Sequence, residues 1–367
     1  MRKIFLLLLF VTATLLNAKM IEHDKVFVVE RENSALAVID HHLLTNEIKN
    51  LHNFNHAIVK FEGKDGYIIT RDGYIIKFDP IKEVKEKEYK VSKSSIDFAV
   101  SKNFIAVANY DNKTVMILSR DLKPIQTIKT GSRNVGIHLY KKYLIFECMD
   151  KDEIWIMKNG KMEKQTPHFK LYKKITNIGK VPFDAMRYKN SYIAVLFNSP
   201  FIGVLNLDTM QYKKVPLDLG TKDRVLKVPH IGLWSVSNKY FFIPAVGSKN
   251  VAVFDLKFNH IKNINVVGNP VFTSLSPNKK YLAVTFSGKD FPRVQIIDAK
   301  TFKIIKNFKF DGMVLHVRWS SNGKYLYISD NGGNKVFAYN VNGWWKNFMF
   351  PVPHSSGIFI YHQYLEK

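Results

Sequence analysis

Along this chain, apolar residues alternate with polar ones in short stretches rich in Val, Ile, Tyr and Phe, separated by clusters of Gly, Asn, Asp and Lys. A period of two marks half-buried β-strands, and the polar clusters mark turns. One element recurs, an aromatic residue leading an apolar triplet: Tyr67-Ile-Ile-Thr, Phe104-Ile-Ala-Val, Tyr143-Leu-Ile-Phe, Tyr192-Ile-Ala-Val, Tyr240-Phe-Phe-Ile, Tyr281-Leu-Ala-Val and Tyr325-Leu-Tyr-Ile. These anchors lie 37, 39, 49, 48, 41 and 44 residues apart. Each leads through a turn to a second strand, as in Tyr74-Ile-Ile-Lys-Phe-Asp or Val294-Gln-Ile-Ile-Asp, and then to a third. No helical period longer than two turns is present.

A repeat of 40 to 50 residues with about four strands is the mark of a β-propeller. A single sheet of this size cannot bury both faces, so stacked blades must supply the core. The opening strands are expected at His56–Phe61, Ser95–Val100, Asn134–Leu139, Pro182–Arg187, His230–Val236, Val271–Ser276 and Val314–Trp319. Val26-Phe-Val-Val with Ala35-Leu-Ala-Val-Ile-Asp forms an eighth copy without an opening strand, and Ser356-Gly-Ile-Phe-Ile at the C-terminus is the missing piece. The expectation is therefore an all-β, eight-bladed propeller closed by the C-terminal strand, which removes an exposed sheet edge. Seven blades is the alternative if the N-terminal copy is irregular.

Composition then narrows the setting. Arg2 and Lys3 precede an apolar run from Ile4 to Leu16 that ends at Asn17-Ala18. This is the pattern of a cleavable signal peptide, residues 1–18, followed by one domain over 19–367. The run is too short to span a bilayer, so a soluble periplasmic protein without an integral membrane segment is expected. The 367-residue chain, less that leader, gives about 44 residues per blade, within the usual propeller period. The net charge of +24 and pI near 9.7 call for an anionic partner. Export makes nucleic acid an implausible one. The single cysteine, Cys148, excludes an intramolecular disulfide and a covalently attached c-type haem.

In a propeller, loops entering the innermost strands gather at one end of the central channel. His56, Arg133 and His230 fall at comparable depth before different anchors. A lone histidine in such a place is more often packed or solvated than a ligand; recurrence at one depth is what singles out His56 and His230. His316 lies one residue further along its strand. His23, His41, His42 and His52 read as surface, and His138 as a packed residue. Arg71, Arg133, Arg224 and Arg293 fall in loops or at strand ends, where their planar guanidinium groups suit carboxylates. Imidazole at the axis with arginines around it suits a flat, multiply acidic ligand such as a tetrapyrrole. No nucleophile triad, phosphate loop or metal spacing stands out.

The segments Gly131-Ser-Arg-Asn-Val-Gly-Ile, Asp152-Glu-Ile-Trp, Gly179-Lys-Val-Pro-Phe-Asp-Ala, Lys227-Val-Pro-His-Ile-Gly-Leu-Trp and Ile243-Pro-Ala-Val-Gly resemble the NirF family. So do Gly268-Asn-Pro-Val-Phe, Val314-Leu-His-Val and Ser356-Gly-Ile-Phe. That family acts in haem d1 biosynthesis and is similar to the d1-binding propeller of cytochrome cd1 nitrite reductase. The resemblance implies a late haem d1 precursor held in the central pocket and a part in its side-chain maturation. It also implies His56 as the axial iron ligand, His230 as a distal histidine, and Asp150 at the acidic position of the family's proposed mechanism. Catalytic roles are thus expected at His56, Asp150 and His230, and contacts to the macrocycle at His56, Arg71, Tyr110, Arg133, His230 and Trp234. Other haem d1 assembly proteins and the nitrite reductase are the expected protein partners. Nitrite reduction itself is not expected without a c-type haem. A non-enzymatic d1 carrier and a plain interaction scaffold are the competing readings.

Overall fold

A computed structural model describes residues 21–160, 166–217, 235–245, 248–286, 288 and 290–365. The expected leader lies outside them. The described strands form eight four-stranded antiparallel sheets arranged as propeller blades. In blades 2 to 8 the strands run from inside to outside in chain order. Their inner strands are Ile58–Glu62, Ser95–Val100, Asn134–Tyr140, Pro182–Tyr188, Ser235–Val236, Pro270–Leu275 and Val314–Trp319. Blade 1 is assembled from both ends of the chain. Ser355–Leu365 is its inner strand and pairs with Ile21–Glu30, followed outward by Ala35–Asp40 and Leu43–Ile48. The register sets Val26 against Ile360 and Val28 against Ile358. The terminal strand thereby lies between the inner strands of blades 8 and 2, and the ring has eight blades.

The alternation read in the sequence sends side chains to opposite neighbours. In blade 1, Phe27, Val29, Leu36 and Val38 pack with Val59, Ile68 and Phe78 of blade 2. The residues between them, Val26, Val28, Ala37 and Ile39, pack with Tyr327, Val336 and Phe350 of blade 8. Each fully buried aliphatic or aromatic side chain of this kind contributes about 1.5–3 kcal/mol. Outer strands lack a second neighbour and show it: Val84–Lys90 and Ile304–Lys309 are mostly exposed. Lysines on these edges discourage sheet-to-sheet association.

In blade 6, the described residues hold the end of the expected inner strand, Ser235–Val236, and residues 230–234 lie outside them. Two expectations shift. The inner strand of blade 2 begins at Ile58, because His56 sits in a turn with φ +68°, a left-handed conformation that ends strand pairing. The aromatic anchors are also not equivalent. Phe104, Tyr240, Tyr281 and Tyr325 begin their strands, whereas Tyr67 lies inside Asp65–Ile69 and Tyr192 inside Ser191–Leu196. Both displaced tyrosines are fully buried. In blade 5 the offset is a single residue, which moves the ring to the other face of the sheet.

The only helix among the described residues is a 3-10 turn, Met149–Lys151. No described helix is long and apolar enough to cross a membrane. Cys148 is buried and unbridged.

Candidate functional site

Antiparallel alternation places two sets of connections on one rim of the ring: the loops entering inner strands and the turns between second and third strands. Four of the expected site residues meet there. Arg71 follows the second strand of blade 2, Tyr110 follows that of blade 3, and Arg133 and Asp150 flank the first two strands of blade 4. The guanidinium carbons of Arg71 and Arg133 lie 5.4 and 5.2 Å from the Tyr110 ring centroid. Arg133 Nη1 donates to the Tyr110 hydroxyl at 3.1 Å. Its Nε and Nη2 reach Asp150 Oδ1 at 2.7 and 2.6 Å, and its backbone N–H donates to Asp150 Oδ2 at 2.8 Å.

Local structure fixes this pair. The Asp150 N–H donates to Ser132 Oγ at 2.9 Å, and the Met149 N–H donates to the Arg133 carbonyl at 2.9 Å. Asp150 lies in the first turn of the 3-10 helix, where exposed N–H groups favour a negative charge. Partial burial opposes ionisation of Asp150, but hydrogen bonds from Arg133 and its charge outweigh that and hold the carboxyl below its ordinary range. The same carboxylate raises Arg133. Asp150 is therefore an ionised partner at neutral pH, suited to positioning the Arg133 guanidinium.

The cluster is cationic overall. Lys113 Nζ approaches Asp150 at 3.9 Å, so this carboxylate faces two cations, Arg133 and Lys113, with Arg71 at the Tyr110 ring. Arg71 pairs with no carboxylate among the described residues, and neither does Arg293, which opens a strand on the same rim of blade 7. A tyrosine ring between one unpaired guanidinium, Arg71, and one paired guanidinium, Arg133, is chemically compatible with a flat ligand carrying carboxylates.

His56 is held beside this cluster through its loop. The Asn55 N–H donates to Asn53 Oδ1, the Asn53 N–H to Asp72 Oδ1, and the Arg71 N–H to the Asn53 carbonyl, at 2.9, 3.3 and 3.0 Å. Gly73 makes the turn possible: φ is +79°, and a Cβ there would lie 2.3 Å from the Ser92 carbonyl oxygen. His56 is exposed on the rim. His230, Trp234 and Arg224 lie outside the described residues.

Two rim residues escaped the sequence reading. Lys113 is one. Arg31 is the other; it donates from Nη2 to Asn55 Oδ1, bracing the residue beside His56 from blade 1. Nothing in the local sequence marks either, because their partners are contributed by neighbouring blades. Of the histidines read as surface, His52 stacks on Tyr74 at 3.7 Å and His42 on Phe348 at 4.3 Å, so both belong to packed turns. His138 is packed as expected: its Nε2 contacts the Ala185 carbonyl at 2.9 Å, and burial lowers its basicity.

Beneath the rim lies a second polar layer. Lys60 of blade 2 reaches Asp97 of blade 3 at 2.9 Å, and Asp97 accepts the Ile137 N–H of blade 4 at 3.3 Å. Glu147, two strands into blade 4, is fully buried with no hydrogen-bond partner on either carboxyl oxygen. Burial and the nearby Asp184 carboxyl push its pKa well up, and Asp184 is raised for the same first reason.

Known proteins share this chain's sequence pattern and its fold. Residues 21–363 match the sequence profile described as Cytochrome D1 heme domain. The chain is 28% identical over 362 residues to protein NirF of Pseudomonas aeruginosa, covering 91% of this chain and 90% of that one. It is 29% identical to protein NirF of Stutzerimonas stutzeri, covering 90% of each. Among solved structures, dihydro-heme d1 dehydrogenase NirN in complex with DHE superposes with a TM-score of 0.79 at 19% identity, over 91% of this chain and 74% of that chain. Apo AztD from Citrobacter koseri shares the fold at 13% identity, with a TM-score of 0.65 over 95% of this chain and all of that one.

Proposed function

Because this chain belongs to the cytochrome d1 haem domain family, we propose that it is an exported haem d1 biosynthesis protein that holds a late d1 precursor at its cationic rim. The convergence of Arg71, Tyr110, Arg133 and Asp150 from three blades is the observation that carries this reading. His56 is the residue that would hold the iron, which when bound fixes the plane of the macrocycle. Arg71 and Arg133 pair with its peripheral carboxylates, and Tyr110 lies against its face. Asp150, ionised and paired with Arg133, orients that guanidinium toward the ligand. The family resemblance implies His230 and Trp234 as further contacts. The likeness to the NirF proteins supports side-chain maturation as the step served, and the basic leader pattern supports a periplasmic location.

The test is a spectroscopic titration of purified protein with haem d1. A Soret shift that His56→Ala abolishes supports axial ligation by His56, and an unchanged shift in that variant removes it from the role. One feature favours a carrier over an enzyme: Asp150 is already engaged by Arg133 through three contacts, which oppose its taking up a proton. Mass analysis of a precursor after incubation separates the two readings, since a carrier returns it unaltered.

A further inference from the structure

The inner strand of blade 8 carries a cation that the site above does not use. His316 and Arg318 stand two residues apart on Val314–Trp319, so their side chains share a face. The His316 ring lies 4.2 Å from Phe272 in blade 7 and 6.0 Å from Phe359 in blade 1, between the two neighbouring inner strands. Two donors face its two nitrogens. The Ile358 N–H approaches Nδ1 at 3.2 Å, and Arg318 Nη2 lies 3.4 Å from Nε2. A neutral imidazole offers one acceptor only, and an imidazolium offers none. Burial, reinforced by the Arg318 charge, keeps this imidazole neutral.

The Ile358 N–H is fixed by the closing strand, where Ile358 is set against Val28. Nδ1 is therefore the acceptor, and Nε2 carries the proton. That leaves His316 Nε2–H and Arg318 Nη2–H as two donors facing one another without an acceptor between them. Arg318 is otherwise thinly held. Its Nε donates to the Ile358 carbonyl at 3.2 Å, and its guanidinium carbon lies 5.7 Å from the Phe272 ring centroid. No carboxylate among the described residues pairs with it, and burial alone lowers its pKa to about 10. A part-buried guanidinium without a counter-ion is incompletely compensated, and a negative ligand relieves that cost.

We propose that Arg318 and His316 form an oxyanion subsite in the channel wall between blades 8 and 1, taking a carboxylate or a small carboxylate-like anion. The anion's oxygens accept from Arg318 Nη2 and His316 Nε2–H together. Val314 starts the strand at the rim, so Arg318 lies about 13 Å deeper along the strand at the usual rise per residue. The subsite is thus distinct from the Arg71–Arg133 cluster. Its occupant is either a side-chain carboxylate of a ligand reaching down the channel or a free anion.

Thermal melting of the full chain with sodium formate tests this. Wild type should melt about 2 °C higher at saturating formate, as expected for a ligand that binds only the folded state. Arg318→Met should show no such rise and should melt no lower than wild type without formate, because it removes a part-buried charge that has no counter-ion. His316→Phe keeps the ring packed on Phe272 and should lose most of the response. An equal formate response in Arg318→Met, or none in wild type, overturns the proposal. So does Arg318→Met melting well below wild type with the formate rise retained, which makes Arg318 a strand latch. If haem d1 abolishes the formate increment, a macrocycle carboxylate fills the subsite; if the increment persists beside haem d1, a free anion does. The formate arm needs no tetrapyrrole, so it stands or falls separately from the function proposed above.

Discussion

Asp150 and Arg133 hold each other in a state that any acidic ligand must enter. A ligand carboxylate competes with Asp150 for the same guanidinium, so the two substitutions should move binding in opposite directions. Arg133→Ala should weaken haem d1 binding about tenfold or more, the loss of one charge-assisted contact. Asp150→Asn, which frees Arg133, should bind at least as tightly while slowing any turnover; Soret titration of both variants checks this. The depressed Asp150 pKa gives its ion pair a stabilising effect that is present above the ordinary carboxylate pKa and lost as pH falls through the lowered value. Glu147 has the opposite sign. Its raised pKa means the folded state keeps a proton that the unfolded chain releases. The fold is therefore favoured below the unfolded pKa and loses about 1.4 kcal/mol per pH unit from there up to the folded value. Glu147→Gln should melt higher than wild type at pH 8 and converge with it near pH 4. A gap independent of pH would mean that Glu147 is not the proton-holding group.

At the scale of strands and turns, legibility followed the repeat pattern. Ser95–Val100 and Val314–Trp319 were readable to the residue because each alternates apolar with polar residues between polar turns, at a fixed distance before its aromatic anchor. The start of blade 2 was not, since nothing about His56 itself announces a left-handed turn. Tyr67 and Tyr192 look like their counterparts in sequence yet sit deeper in their strands, and only pairing register reveals it. The candidate site divides in the same way. Loop position alone pointed to Arg71 and Arg133, but the Arg133–Asp150 pair joins residues on either side of a hairpin, and Tyr110 comes from the next blade. Gly73 offers a test of how turn geometry serves the rim. Gly73→Ala places a methyl group against the Ser92 carbonyl in a left-handed conformation, which should cost about 1–3 kcal/mol. It should also weaken ligand binding through the displaced Arg71, read by melting and titration together.

For the whole molecule, the excess of 55 basic over 31 acidic side chains makes a field that draws anions to the rim as well as a surface that resists edge pairing. Association with haem d1 should slow as salt rises from about 0.01 to 0.15 M, where screening shortens from about 30 to about 8 Å, while dissociation changes little. Stopped-flow mixing at two ionic strengths measures this, and equal association rates would leave the charge without a part in capture. The closing strand has a consequence of another kind, in time. Three strands of blade 1 are among the first made, yet their inner partner, Ser355–Leu365, is among the last. A chain emerging from its N-terminus can stack blades 2 to 8 in order, but its first sheet must wait with an open edge until nearly every residue has arrived. Assembly order is thereby uncoupled from synthesis order, and the edge of Ile21–Glu30 is the surface a folding helper would have to guard in the interval.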